Sequence, residues 1–146
     1  WTLGGTLAYT RGQYKDAAGN WRELNAFRVS PLKATVYSDW RFLDGYGVRL
    51  QALTVGGSDR AYDDAQSAAI SPTIRATPAT KIQGYTVVDL IAHAPWLGGE
   101  VGFGVYNLAN RDYKTVYGQQ AEATYGAISS LPAAGRTFGL SYSVQY

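Results

Sequence analysis

Thr137-Phe138-Gly139-Leu140-Ser141-Tyr142-Ser143-Val144-Gln145-Tyr146 is the stretch whose reading decides the fold. In an extended chain consecutive side chains point to opposite faces. Phe138, Leu140, Tyr142, Val144 and Tyr146 therefore share one side, and Thr137, Gly139, Ser141, Ser143 and Gln145 share the other. The segment reads as a strand with one greasy face and one small, polar face.

Working upstream, the same alternation returns. Val101, Phe103 and Val105 oppose Glu100, Gly102, Gly104 and Tyr106, while Thr86, Val88, Leu90 and Ala92 oppose Tyr85, Val87, Asp89 and His93. Tyr46, Val48, Leu50 and Ala52 oppose Gly47, Arg49 and Gln51. From Leu32, the set Leu32, Ala34, Val36, Trp40 and Phe42 opposes a charged set of Lys33, Thr35, Tyr37, Asp39 and Arg41. At the start, Trp1, Leu3, Leu7 and Tyr9 oppose Thr2, Gly4, Thr6, Ala8 and Thr10. Helical periodicity is nearly missing, so the chain is expected to be almost entirely β. Each register lasts about 9 to 11 residues, which suits a tilted strand crossing a bilayer, whereas soluble strands run nearer about 5 or 6.

Connection lengths give an independent test. Outer-membrane barrels join strands by tight turns on one side and long loops on the other. Tight turns are expected at Leu43-Asp44-Gly45 and Pro95-Trp96-Leu97-Gly98-Gly99. Long polar connections are expected from Gln13 to Pro31, Gly56 to Gln83 and Asn110 to Gly135, all on one side. Trp40, Phe42, Tyr46, Trp96 and Tyr146 gather near the tight-turn ends, where an aromatic girdle sits at the membrane interface. Three competing architectures are an ordinary β-sandwich, a small complete barrel of about eight strands with an adhesin or structural role, and a soluble lipocalin-like carrier.

Composition agrees with a β membrane protein. Of 146 residues only 16% are charged, while 14% are aromatic, a balance unusual for a soluble domain. The net charge of +2 comes from scattered basic residues, which excludes the electrostatic footprint of nucleic-acid binding. Cysteine is absent, which removes disulfides, thiolate metal sites and a cysteine nucleophile together. No run approaches the roughly 20 apolar residues of a membrane-spanning helix, and residue 1 opens directly into a patterned segment. The chain is therefore expected either to begin at the mature terminus or to be a fragment.

Several motifs then carry a resemblance. Leu24-Asn25-Ala26-Phe27-Arg28-Val29-Ser30-Pro31-Leu32-Lys33, Gly84-Tyr85-Thr86-Val87-Val88-Asp89-Leu90 and Asn107-Leu108-Ala109-Asn110-Arg111-Asp112-Tyr113 resemble segments of TonB-dependent outer-membrane receptors, especially the ferric-siderophore branch. The ending from Gly135-Arg136-Thr137-Phe138 to a terminal aromatic is similar to the signal read by the barrel-assembly machinery. The resemblance implies an antiparallel transmembrane β-barrel segment, with residues 1–146 giving about six strands of a barrel of about 22. It implies short periplasmic turns, long extracellular loops, and a plug and TonB-contacting region outside this chain. It also implies the outer membrane of a Gram-negative bacterium, with a ferric siderophore, the TonB complex, outer-membrane lipid and the assembly machinery as partners. Iron would be carried as a siderophore chelate, with no cofactor bound directly.

Catalysis has little to work with, since one histidine and no cysteine leave no metal cluster and no nucleophile-base pair. An enzyme is not expected. His93 reads as an ordinary inward hydrogen-bonding residue. Lys33, Asp39, Arg41, Arg49, Asp89 and Glu100 read as mutually paired inward charges, or as contacts to a plug. Asp59, Asp63 and Asp64 lack the spacing of a calcium loop. Asn107 and Arg111 read as stabilisers of a strand exit. Tyr14, Trp21, Arg60, Tyr62, Arg75, Lys114, Tyr117, Gln119 and Tyr125 in the long loops offer aromatic faces and polar or cationic groups suited to an anionic chelate.

Overall fold

A computed structural model describes residues 1–16, 18–24, 29–58 and 81–144. Its strands in chain order are β1 (Thr2–Ala8), β2 (Gln13–Lys15), β3 (Trp21–Glu23), β4 (Lys33–Arg41), β5 (Gly47–Val55), β6 (Tyr85–Trp96), β7 (Gly99–Tyr106) and β8 (Thr137–Ser143). One helix, α1, spans Val116–Tyr125, and a 3-10 turn follows at Ala127–Ser129. Six strands form one sheet in the order β1-β4-β5-β6-β7-β8, every neighbouring pair antiparallel. The main sheet is thus an up-and-down meander, open at β1 and β8. This is a segment of barrel wall.

The register keeps the apolar sets together. Val36, Ala52 and Val88 lie side by side across β4, β5 and β6, and Leu50, Leu90, Val105 and Phe138 continue the band across β5 to β8. A one-residue slip would send every one of these side chains to the polar face. Of these band residues only Val105 is buried, and the apolar face stays open: Phe138 is 67% exposed, Leu140 78% and Val144 41%. Among the described residues the buried apolar ones are only Val29, Val55, Ile82, Val87, Val105 and Ala121. A sandwich would hide the greasy face, so that alternative is excluded. An exposed apolar band on a sheet whose strands between the two edges are all paired laterally is the solution the bilayer imposes.

The opposite face carries polar and small residues. Asp39 accepts two hydrogen bonds from Arg49, Nε at 2.6 Å and Nη2 at 2.9 Å, and the guanidinium lies over the Tyr37 ring at 4.6 Å. Large rings on this face lie across neighbouring glycines. A Cβ added at Gly4 would strike the Tyr37 ring, one at Gly47 would strike His93, and one at Gly104 would stand 2.9 Å from Tyr106. Such ring-on-glycine pairs fill the gap that a missing side chain leaves in a sheet.

Both tight turns lie on one side, and the strand ends joined by the connections 9–32, 56–84 and 107–136 lie on the other. Between β4 and β5 the turn is Leu43-Asp44-Gly45, closed by Phe42 N–H donating to the Tyr46 carbonyl at 3.2 Å. Between β6 and β7 it is tighter than expected. Trp96 pairs with Gly99, so Pro95 and Trp96 belong to the strand and only Leu97-Gly98 turns, with φ of 47° and 78°. Positive φ at both central residues is the pattern that matches the twist of a hairpin. Pro95 fits because β5 ends opposite His93, leaving no ladder bond to be made on that side.

Trp40, Phe42, Tyr46 and Trp96 do collect at this end, all exposed. Trp1, whose Nε1 donates to Ser38 Oγ at 2.7 Å, and Tyr142, edge-on to Trp96 at 5.9 Å, join them. Tyr146 lies outside the described residues.

Three expectations are corrected. In the six-stranded sheet the strand lengths range from 7 residues in β1 and β8 to 12 in β6, so only β4, β5 and β6 reach the expected span. The first long connection is not irregular throughout: β2 and β3 form a hairpin, with Lys15 Nζ 5.2 Å from the Trp21 ring centre. The last contains α1, whose apolar residues gather on no single face. Its start is set by Thr115, whose Oγ1 accepts from Gly118 N–H at 3.1 Å, and it stops at Gly126 with φ 84°. No helix among the described residues is long and apolar enough to cross a membrane.

Candidate functional site

Where β7 leaves the sheet on the long-loop side, one asparagine organises the exit. Asn107 takes a left-handed φ of 51°, a conformation Asn tolerates better than most side chains, and is only 3% exposed. Its backbone N–H donates to Asp89 Oδ1 at 2.9 Å. Its side chain donates to the Arg111 carbonyl at 2.9 Å and to the Ala134 carbonyl at 3.3 Å, and accepts from Arg111 N–H at 2.8 Å. Asp89 Oδ2 accepts from Gln51 Nε2 at 3.0 Å, linking the knot to β5. Asn110, φ 49°, accepts from Arg136 N–H at 2.9 Å. The two asparagines thus tie the outgoing chain to the segment that returns into β8.

Above this knot α1 is held against the approach to β6. Gln119 accepts from Gln83 N–H at 2.7 Å, and its Nε2 donates to the Gln83 carbonyl at 2.9 Å and to the Lys114 carbonyl at 3.0 Å. Lys114 pairs with Glu122. Below, the rings of Tyr85 and Tyr113 meet with centroids 4.6 Å apart. At the base, Ser58 and Ile82 exchange backbone bonds of 2.9 and 2.7 Å. Here Gly84 lets two backbones approach, since a Cβ there would lie 2.8 Å from the Val55 carbonyl oxygen.

Between these elements opens a cleft of about 920 Å³, lined by Lys81, Gln83, Tyr85, Arg111, Asp112, Tyr113, Lys114, Gln119 and Glu122 among others. Lys114 is committed to Glu122, but Lys81 and Arg111 have no ion-pair partner among the described residues. Two uncommitted cations beside a tyrosine pair can receive a ligand that brings its own anionic oxygens. No group of three His, Cys, Asp or Glu side chains that could hold a metal ion occurs among the described residues.

The residues singled out from sequence are not brought into one place. Lys114 and Gln119 line the cleft. Tyr117 and Tyr125 stand on α1, both well exposed and away from the lining. Tyr14 and Trp21 sit on the β2–β3 hairpin. Arg60, Tyr62 and Arg75, like Asp59, Asp63 and Asp64, lie outside the described residues, as do residues 25–28 of the first motif. Sequence reasoning missed Lys81, Tyr85, Arg111 and Tyr113 as cleft residues. Three of these stand inside quoted motifs, and the signal overlooked was that both motifs begin at strand ends on the same side.

The hairpin tip has its own electrostatics. Asp16 accepts from Arg22 Nε at 2.8 Å, from Asn20 N–H at 2.8 Å and from Ala18 N–H at 3.0 Å. The Arg22 hydrogen bond foremost, then the Asn20 N–H, holds this carboxyl below its usual range.

An open meander with a lipid-type outer face, tight turns at one rim and a cleft among long loops at the other defines a stretch of outer-membrane β-barrel wall. Comparison with known proteins narrows that class. The chain is 34% identical over 136 residues to ferric aerobactin receptors of Escherichia coli and Klebsiella pneumoniae, covering 88% of this chain. It spans 16% of the length of those relatives. The resemblance to ferric-siderophore receptors of the TonB-dependent kind, read from the motifs, is thereby borne out. No family model matches the chain, and no solved structure does.

Proposed function

We propose that the whole protein takes up a ferric siderophore across the outer membrane of a Gram-negative bacterium, and that residues 1–146 supply the last strands of a barrel of about 22. The observation that carries this reading is the similarity, along 88% of the chain, to receptors named for a ferric siderophore. In it the cleft side faces outward and contributes part of the ligand's binding surface. Lys81 and Arg111 meet the chelate's anionic oxygens, and Tyr85 and Tyr113 give it an aromatic floor. Energy comes from the TonB complex acting on a plug encoded elsewhere in the protein, and insertion follows recognition of the β8 ending by the assembly machinery. Iron passes as chelate cargo, and the protein performs no covalent chemistry.

The test is equilibrium binding by the full-length protein of ferric and iron-free chelates of the hydroxamate, catecholate and citrate classes, with haem and cobalamin alongside. Ferric chelate binding, weakened in Arg111→Ala and Lys81→Ala, supports the reading. Binding of haem or cobalamin with no chelate bound overturns it.

A further inference from the structure

Both tight turns carry a leucine in a conformation that leucine avoids. Leu43 has φ 57° and Leu97 φ 47°, positions that turns ordinarily give to Asn, Asp or Gly. A full side chain at a left-handed position crowds the following carbonyl oxygen, which glycine avoids. Both are also among the most exposed apolar residues, 80% and 77%. The hairpin demands the left-handed backbone, so what is left to explain is an exposed leucine where Asn, Asp or Gly would fit, and two such side chains on one rim point to an apolar partner.

What lies beside them names the partner. Phe42 stacks on Tyr46 with centroids 6.4 Å apart, flanking Leu43. Trp96 stands edge-on to Tyr142, whose hydroxyl donates to the Leu97 carbonyl at 3.0 Å, so the Leu97 turn is fastened to the aromatic belt itself. Pro95 packs within 3.2 Å of the point where a Cβ on Gly45 would stand, which brings the two turns together as one surface. The patch is continuous with the exposed apolar band of the sheet.

We infer that both turns are seated in the headgroup–acyl boundary of the inner leaflet, with Leu43 and Leu97 as apolar pins in phospholipid. The proposal rests on the membrane-spanning sheet and not on transport. Asp44 fits this depth, because a charge near the interface costs far less than one at the bilayer centre. The turns therefore do not project into the periplasm as water-exposed loops.

The test uses the full-length protein with a single introduced cysteine, Leu43→Cys or Leu97→Cys, carrying an environment-sensitive fluorophore, in phosphatidylethanolamine–phosphatidylglycerol vesicles. Tyr125→Cys on α1 serves as the aqueous reference, and the heat-modifiable gel shift shows which variants are folded. The expected result is blue-shifted emission at 43 and 97, lost to lipids bearing a shallow spin label and insensitive to iodide. Iodide quenching at both turns equal to that at position 125 overturns it, and would indicate a periplasmic protein as the occupant. If one variant fails to fold, the other decides. Transport activity plays no part in the readout, so failure of the uptake reading would leave this result intact.

Discussion

The two faces of the β4–β8 sheet are written on the same strands and obey opposite rules. On the outer face Val36, Leu50, Phe103 and Leu140 stay exposed with no second layer over them. On the inner face Asp39, Arg49, Gln51, Asp89 and Asn107 are each held by a specific partner. One face is specified by what it lacks, and the other by bonds that must be complete. A single substitution should thus mean different things on the two sides.

The sharpest way to break the comparison is to place the same charge on each face. Leu90 sits mid-strand on the apolar side, paired with Leu50 and Val105. Leu90→Arg in the full-length protein should cost about 2 to 4 kcal/mol, the penalty for an arginine at the bilayer midplane. Thr35→Arg on the opposite face should stay within about 0.5 kcal/mol. Urea unfolding in lipid vesicles checks both, and equal costs would mean the faces have been assigned wrongly.

Next in size is the knot at the strand exit. Asn107→Ala removes a buried side chain with three hydrogen bonds and should cost about 1 to 3 kcal/mol, with faster tryptic cleavage after Arg111 and Lys114. Asn107→Asp keeps the acceptor for Arg111 N–H but loses both donations, so its cleavage rate should fall between the two.

A smaller effect, about 1 to 2 kcal/mol, is expected for Gly104→Val, whose Cβ would press on the Tyr106 ring. Adding Tyr106→Ala should recover part of it, measurable as non-additivity in the same unfolding assay.

The smallest concerns the β2–β3 hairpin alone. The Asp16 carboxyl titrates below its ordinary value of 3.8 when folded, so its contribution is complete above that value and is lost as pH falls through the folded one. Trp21 emission should change in that acidic window while the main sheet persists, and Asp16→Asn should abolish the change.

Much of this was legible because the membrane demands a simple code. Alternation in 137–146 and its repeats needs no knowledge of long-range contacts, since no second protein layer packs on the apolar side of the sheet. The order of strands followed from the alternation of short and long connections. What escaped reading depended on contacts between segments far apart in sequence. α1 forms without an apolar stripe because Gln119 and Thr115 anchor it, and only Thr115 and Gly126 mark its limits. The turn at Leu97-Gly98 was read too wide because Pro95 usually breaks a ladder, and only the early end of β5 makes it harmless. The cleft was missed since Lys81 and Arg111 meet only once Gln83 and Gln119 bring their loops together.

The rings laid flat on Gly4, Gly47 and Gly104 also set a dimension. Tyr37 and His93 fold down onto the neighbouring strand, and Tyr106 onto its own, so each ring adds one ring thickness to the sheet instead of its full length. A side chain in place of any one of those glycines would force the ring beside it off the surface of the sheet.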